Sequence, residues 1–272
     1  MAKPIFQVIQ ELQHSGEPFA IATVVETRGS VSAKTASKAV IDHRGRVVAG
    51  WVGGGCAESG TCEKALDCMK SGETVVLDID LDDEMLGAGM PCGGSMRVYV
   101  EPVLPSPSLW IMGHGRVAES LCILGDLMGL KVIVNDPGVE WDKYPNASQL
   151  ITDDMDYEQL NPQPGDYVVI ATQHKGDHES MKRALASEAE YIALIASRKR
   201  SKLVLDYLQD EGFSEQDISR VMAPSGLDLG ARTPEEIALC VISEIVLIRR
   251  GGSGLRMREK LLQQPSLRAA EG

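Results

Sequence analysis

Aromatic residues make up only 4% of this chain, and no stretch approaches the roughly 20 consecutive apolar residues that a membrane-spanning helix needs. Few aromatics beside 27 glycines argue against a large β-sandwich core and for short β/α units joined by glycine-rich turns. Basic residues are a minority as well, 27 against 39 acidic ones, for a formal net charge of -12. The overall field opposes nucleic acid and anionic lipid, so neither is expected as a partner. The opening MAKPIFQVIQ lacks the long apolar core of a signal peptide, and the expected compartment is the cytoplasm. Reducing conditions there argue against disulfides among the six cysteines, and the absence of any CxxC pair argues against structural zinc. Also missing are a GxSxG elbow, an HExxH helix and a P-loop lysine, so hydrolase and kinase chemistry find no support.

What is present reads as two α/β domains, since 272 residues are close to twice the soft prior of about 150 per domain. Apolar spacing at Ile5, Val8, Ile9 and Leu12 predicts an opening helix. FAIATVVETRG and KAVIDHRGRVVAG are β-rich, the second broken by a turn at Arg44-Gly45, and ESGTCEKALDCMKSG is helical with Gly72 as its C-cap. TVVLDIDL and SMRVYVEPV are strands on either side of the glycine-rich DDEMLGAGMPCGG loop. PVLPSPSL, with three prolines in eight residues, is the natural linker. The expected organisation is therefore a mixed α+β domain over 1-104, a doubly wound domain over 105-252 and a flexible tail, with a short helix, over 253-272.

The second domain opens with LWIM, GHGRVAESLCILGDLMG and KVIVND, in the order strand, glycine turn, helix, strand. Gly113-x-Gly115-x-x-Ala118 is a dinucleotide fingerprint with alanine in third place: the first glycine allows a tight turn and the second lets the backbone approach a pyrophosphate. The small third residue lets the helix pack on the strand, and its N-terminus offers free N–H groups and partial positive charge. Asp136 follows 23 residues after Gly113, where a ribose-binding acid belongs. A Rossmann-type fold follows, with a nucleotide or another phosphate ester as its expected ligand.

Farther on, His174, Lys175, Asp177 and His178 lie just past the strand DYVVIA, and Arg198, Lys199 and Arg200 follow the strand YIALIAS. That rim is where open α/β sheets bind ligands, although a solvated loop or helix start accounts for these residues equally well. Thr233, Pro234 and Glu236 make a capping box for a long helix, leaving Asp228 and Arg232 in its entry loop, free to face a ligand.

In the first domain, Gly54 and Gly55 precede Cys56 in GWVGGGCAES at an expected helix start, and Cys92 sits in MPCGG. A helix N-terminus favours thiolate over thiol, the form that a nucleophile or soft-metal ligand requires. Both cysteines are candidates for such contact, the alternative being that they fill tight turns. Glu26, Arg28, Ser30 and Glu58 share these strand ends and could hydrogen-bond a polar heterocycle. Cys62, Cys68, Cys122 and Cys240 fall in helical patterns and read as small buried hydrophobes.

Taken in order, ATVVETRGSVSAKTASKAVI, GWVGGGCAES, MPCGGSMRVYVEPV, GHGRVA, ASRKR and APSGLDLGARTPEEIAL resemble the XdhC/CoxI family over nearly the whole chain. The resemblance implies an N-terminal XdhC/CoxI domain before the Rossmann-type one. It also implies a non-catalytic maturation factor of molybdenum hydroxylases such as xanthine, aldehyde or CO dehydrogenases. Such a chaperone binds molybdenum cofactor as cargo, either as molybdopterin or as its cytosine dinucleotide. It protects the cofactor while a cysteine desulfurase supplies sulfur, inserts it into the apo hydroxylase, and works as a dimer. On this reading Cys56 and Cys92 face molybdenum, and Asp228 and Arg232 belong to the family's C-terminal motif. Two other readings remain: an NAD(P)-dependent oxidoreductase using the Gly113 turn and Asp136, and a copper- or sulfur-handling factor using the thiols.

Overall fold

The computed structural model describes residues 3–80, 94–172 and 177–263 and divides the chain into two compact units, Met1–Ser106 and Pro107–Gly272. Among the described residues no helix is long and apolar enough to cross a membrane.

The first unit holds α1 (Ile5–Ser15), β1 (Phe19–Gly29), β2 (Lys38–Asp42), β3 (Val47–Gly50), α2 (Cys56–Ser71), β4 (Val75–Asp80) and β5 (Gly94–Val103). Its strands form one antiparallel sheet in the order β3-β2-β1-β5-β4. Strand alternation sends Ala20, Ala22, Val24, Met96, Val98 and Val100 to one face, where α2 covers them with Ala57, Ala65 and Cys68. On the other face Val8 of α1 packs with Phe19 and Val40. Arg97 bridges Asp78 at 2.7 Å and Glu26 at 3.7 Å across β4, β5 and β1.

The second unit holds β6 (Ser108–Gly113), α3 (Arg116–Leu127), β7 (Lys131–Asn135), β8 (Gln149–Ile151), β9 (Tyr167–Ala171), α4 (Asp177–Leu185), β10 (Tyr191–Leu194), α5 (Arg198–Asp210), α6 (Glu215–Ser219), β11 (Val221–Met222), α7 (Pro234–Arg250) and α8 (Met257–Gln263). All six strands run parallel in the order β11-β10-β9-β6-β7-β8. This is the 3-2-1-4-5-6 order of the Rossmann fold, and the strand order reverses between β6 and β9. Every residue of β9 and β10 is buried, as a parallel sheet covered on both faces requires. Helices α3 and α7 pack through Ala118, Leu121, Val241 and Ile245 on one face, while α4 and α5 pack through Met181, Ala184, Val204 and Leu208 on the other. The capping box of α7 forms as the sequence predicts, with Thr233 accepting from the Glu236 amide and Glu236 accepting from the Thr233 amide.

Candidate functional site

The turn between β6 and α3 lies at the C-terminal end of the sheet, at the point where strand order reverses. Gly113 has φ 124°, and a Cβ there would stand 2.4 Å from the carbonyl oxygen of Ala171. The two central strands thus approach so closely that only glycine fits. Gly115, at φ 90°, is the N-cap of α3 and supplies no side-chain cap, so the first-turn amides remain directed outward with the positive end of the helix dipole. Ala118, fully buried, seats α3 on the sheet. The serine- and threonine-led helices α5, α6 and α7 contrast with this, because each caps its own amides.

A cleft opens on each side of His114. The first, about 400 Å³, is lined by Gly115, Glu119, Asp136, Val139, Lys143 and Tyr144. Asp136 follows directly on β7, anchored by its backbone N–H to the Ile151 carbonyl at 3.0 Å, and is 7% exposed. The Tyr144 hydroxyl donates to Asp136 Oδ2 at 3.0 Å. Burial pushes the carboxyl above the usual aspartate range and the nearby Glu119 adds to that, while the Tyr144 hydrogen bond and His114 partly offset it. Burial, together with the neighbouring carboxylate, likewise pushes the Tyr144 phenol up.

The second cleft, about 740 Å³, lies beyond the ends of β9 and β10 and is lined by Val117, Ala171, Ile195, Ser197, Arg200 and Ser225. Ser197 caps α5 by accepting from the Arg200 amide at 3.3 Å. Ser225 donates to the Leu194 carbonyl at 3.1 Å, and the next residue is held by Glu244, which accepts from the Gly226 amide at 2.8 Å and the Tyr191 hydroxyl at 2.5 Å.

The structure therefore brings Gly113, Gly115, Ala118 and Asp136 together around one helix start. Of the three cations after β10, Arg200 lines the second cleft, whereas Arg198 and Lys199 are exposed and do not. Asp228 and Arg232 are in the segment leading to α7, and the Arg232 amide donates to Glu236 at 2.7 Å. His178 packs against Tyr207 with ring centroids 4.2 Å apart and the rings tilted by 53°, and His174 and Lys175 lie outside the described residues. Sequence reasoning misses His114, Tyr144 and Glu119 as cleft residues. Only the position of His114 between two fingerprint glycines could signal any of them.

In the first unit, α2 also begins on glycine: Gly55 has φ 58° and provides no side-chain cap, Gly54 is exposed, and Cys56 is the half-buried first residue. Cys92 lies outside the described residues. Burial pushes up the thiols of Cys62 and Cys68, and that of Cys122 to about 11, so none of these three offers a thiolate at neutral pH. Among the described residues no group of three or more His, Cys, Asp or Glu side chains could hold a metal ion.

Residues 109–245 match the family model described as the XdhC Rossmann domain, and residues 12–80 match that of the XdhC and CoxI family. The chain is 28% identical to YqeB of Escherichia coli (strain K12), over 92% of its own length and 47% of that protein. It is 30% identical to a probable xanthine dehydrogenase subunit from Bacillus subtilis (strain 168), over 57% of this chain and 46% of the relative. It is also 23% identical to the molybdenum cofactor insertion chaperone PaoD of Escherichia coli (strain K12), over 91% and 88% of the two chains. The chain spans about half the length of the first two of these relatives.

Proposed function

Since this chain belongs to the XdhC and CoxI family, we propose that it is an accessory chaperone that binds molybdenum cofactor and delivers it to a molybdenum hydroxylase of the xanthine dehydrogenase type. The observation that supports this reading most directly is the uncapped, glycine-led start of α3 at the strand-order switch, with a cleft on each side. Backbone amides and the helix dipole there suit the phosphate of a pterin cofactor, and the polar and apolar lining of the clefts suits its organic parts. In the first unit, the glycine-led start of α2 carries Cys56, a soft donor of the kind that suits a metal or sulfur ligand. In this proposal Cys92 joins Cys56, a cysteine desulfurase loads sulfur while the cofactor is held, and two copies of the chain act together in the cytoplasm. The part played by the protein is binding and protection, with no bond made or broken by its own side chains.

Asp136 favours a second reading, an NAD(P)-dependent oxidoreductase, because a ribose-binding acid serves nicotinamide dinucleotides equally well. Anaerobic binding of purified molybdenum cofactor, with NAD and NADP titrated in parallel, separates the two. Retention of cofactor that falls at least tenfold in Cys56→Ser and Cys92→Ser is the expected result. Tight nicotinamide binding indifferent to both changes, with no cofactor retained by the wild type, would transfer the assignment to the oxidoreductase.

A further inference from the structure

We propose that the second cleft holds a tetrahedral oxyanion against the start of α5, through Arg200 and the serines of that first turn, at a site separate from the glycine-led start of α3. The cofactor-binding reading is needed only to say which ligand carries that anion.

The N-terminus of a helix is its positive end, where acids are stabilising and cations are not. Helices α3, α6 and α7 follow this rule, with Glu119, with Glu215 and Asp217, and with Glu235 and Glu236 in their first turns. Helix α5 breaks it. Its first turn has no acid and opens on Arg198, Lys199 and Arg200. Three adjacent cations at a positive helix end repel one another and the dipole, and they do so in a chain whose net charge is -12. A sequence choice that works against its own helix marks a functional constraint, and an anion is the charge that reverses the penalty.

The surrounding geometry provides the place for it. Arg200 lines the second cleft with Ser197 and Ser225, and none of the described residues lining it is acidic, whereas Glu119 and Asp136 line the first. Ser197 accepts from the Arg200 amide at 3.3 Å, and a hydroxyl that accepts one bond still has a proton to donate. Ser201, one turn later, is 2% exposed, and its Oγ is buried with no hydrogen-bond partner among the described residues. Because the Cα–Cβ bonds of a helix tilt toward its N-terminus, Ser201 leans toward the turn that lines the cleft. Leaving a buried hydroxyl unpaired is costly, and an anion at this turn, directly or through its water, would satisfy it. At about 740 Å³ the cleft is far larger than such an ion, and Val117, Ile195 and Ile237 make its other walls apolar. The oxyanion is therefore one end of a ligand whose body packs against those walls. On the chaperone reading, the pterin cofactor offers two such ends, its phosphate and its oxygen-bearing molybdenum.

Calorimetric titration of the full chain with phosphate, molybdate and tungstate tests this directly. Binding is expected for at least one of them, weakened about tenfold or more in Arg200→Gln and partly restored in Arg200→Lys. Arg198→Gln and Lys199→Gln, whose side chains are exposed and outside the cleft, should each change it by less than about threefold. Preference for phosphate assigns the site to the phosphate end of a ligand, and preference for molybdate and tungstate to the metal end. No oxyanion binding by the wild type overturns the proposal. So does binding that Arg200→Gln leaves intact, or that all three cation variants weaken equally, which would make it an effect of the general field. Anaerobic retention of molybdenum cofactor, measured in parallel, keeps the two readings apart. Cofactor retained alike by wild type and Arg200→Gln, with no oxyanion bound, refutes the oxyanion site and leaves the chaperone standing. Oxyanion binding that depends on Arg200, without retention of cofactor, refutes the chaperone alone.

Discussion

Two of the buried aspartates, Asp42 from the first unit and Asp136 from the second, show how the same side chain can meet opposite conditions. Asp42, 4% exposed at the end of β2, accepts the Arg44 and Arg46 amides at 3.0 and 2.9 Å on one oxygen and the Arg46 guanidinium at 2.7 Å on the other. Burial alone would raise its carboxyl, but Arg46 and the two amides outweigh that and hold it below the ordinary aspartate range. Asp136 is nearly as buried, has a neutral partner in Tyr144, and its carboxyl is raised. The first closes a β-turn that the fold needs. The second has a single side-chain donor and faces a cleft, and that combination is what supports the proposal of a ligand there.

The largest stability effect is expected at the structural acid. Asp42→Ala removes a charge-assisted network at the Arg44-Gly45 turn and should cost about 3 kcal/mol, discounted from the full sum because Arg46 is largely exposed. Urea unfolding measures it. Because the folded carboxyl is depressed, the contribution of Asp42 is present above the unfolded value near pH 4 and is lost as pH falls through the folded one. A loss in Asp42→Ala that stayed constant down to about pH 2 would refute the ionic part of this account.

Smaller and opposite effects are expected at the cleft. Tyr144→Phe deprives the buried Asp136 of its donor and should cost about 1–2 kcal/mol at pH 7. Asp136→Asn keeps an oxygen for the phenol and removes the charge, so it should stabilise the protein by up to about 1 kcal/mol at pH 7 while weakening ligand binding. The sign follows from the raised carboxyl. The contribution of Asp136 to stability is fully present below the unfolded aspartate value and declines as pH rises through the folded one, so the advantage of the variant grows in that direction. Thermal unfolding of both proteins between about pH 3 and 8 reads the trend, and a variant less stable than wild type at pH 7 would make Asp136 a structural acid like Asp42.

The two acids are not equally legible in the sequence. The turn at Arg44-Gly45 and the fingerprint from Gly113 to Ala118 are local signals, carried by residue types whose backbone or size requirement holds wherever they occur. They reveal the β2–β3 hairpin and the Rossmann-type unit, and the distance from that fingerprint places Asp136. Tyr144 is not legible, because it reaches Asp136 from the end of a single 3-10 turn at Trp141–Lys143, too short to show periodicity. Which of Arg198, Lys199 and Arg200 lines the second cleft is not legible for a related reason: three adjacent cations differ only in the direction they take from a helix start. Strand β11, two residues long, leaves no pattern to read.

Glu119 offers the finest test of the comparison. It is half-buried on the first turn of α3, lines the first cleft, and its charge adds to the upward push that burial gives Asp136. Glu119→Gln should leave stability within about 0.5 kcal/mol, as a cleft-lining substitution with no cap or core contact to lose. Its effect should appear in the titration of the Asp136 carboxyl followed by NMR. The midpoint should fall relative to wild type yet stay above the ordinary aspartate value, since burial is the larger cause and the variant leaves it in place. A fall to the ordinary value would mean that repulsion rather than burial raises Asp136, and no change would mean that water screens the pair. Only the first of these outcomes would break the parallel with Asp42, because the contrast between the two acids requires that burial raise both.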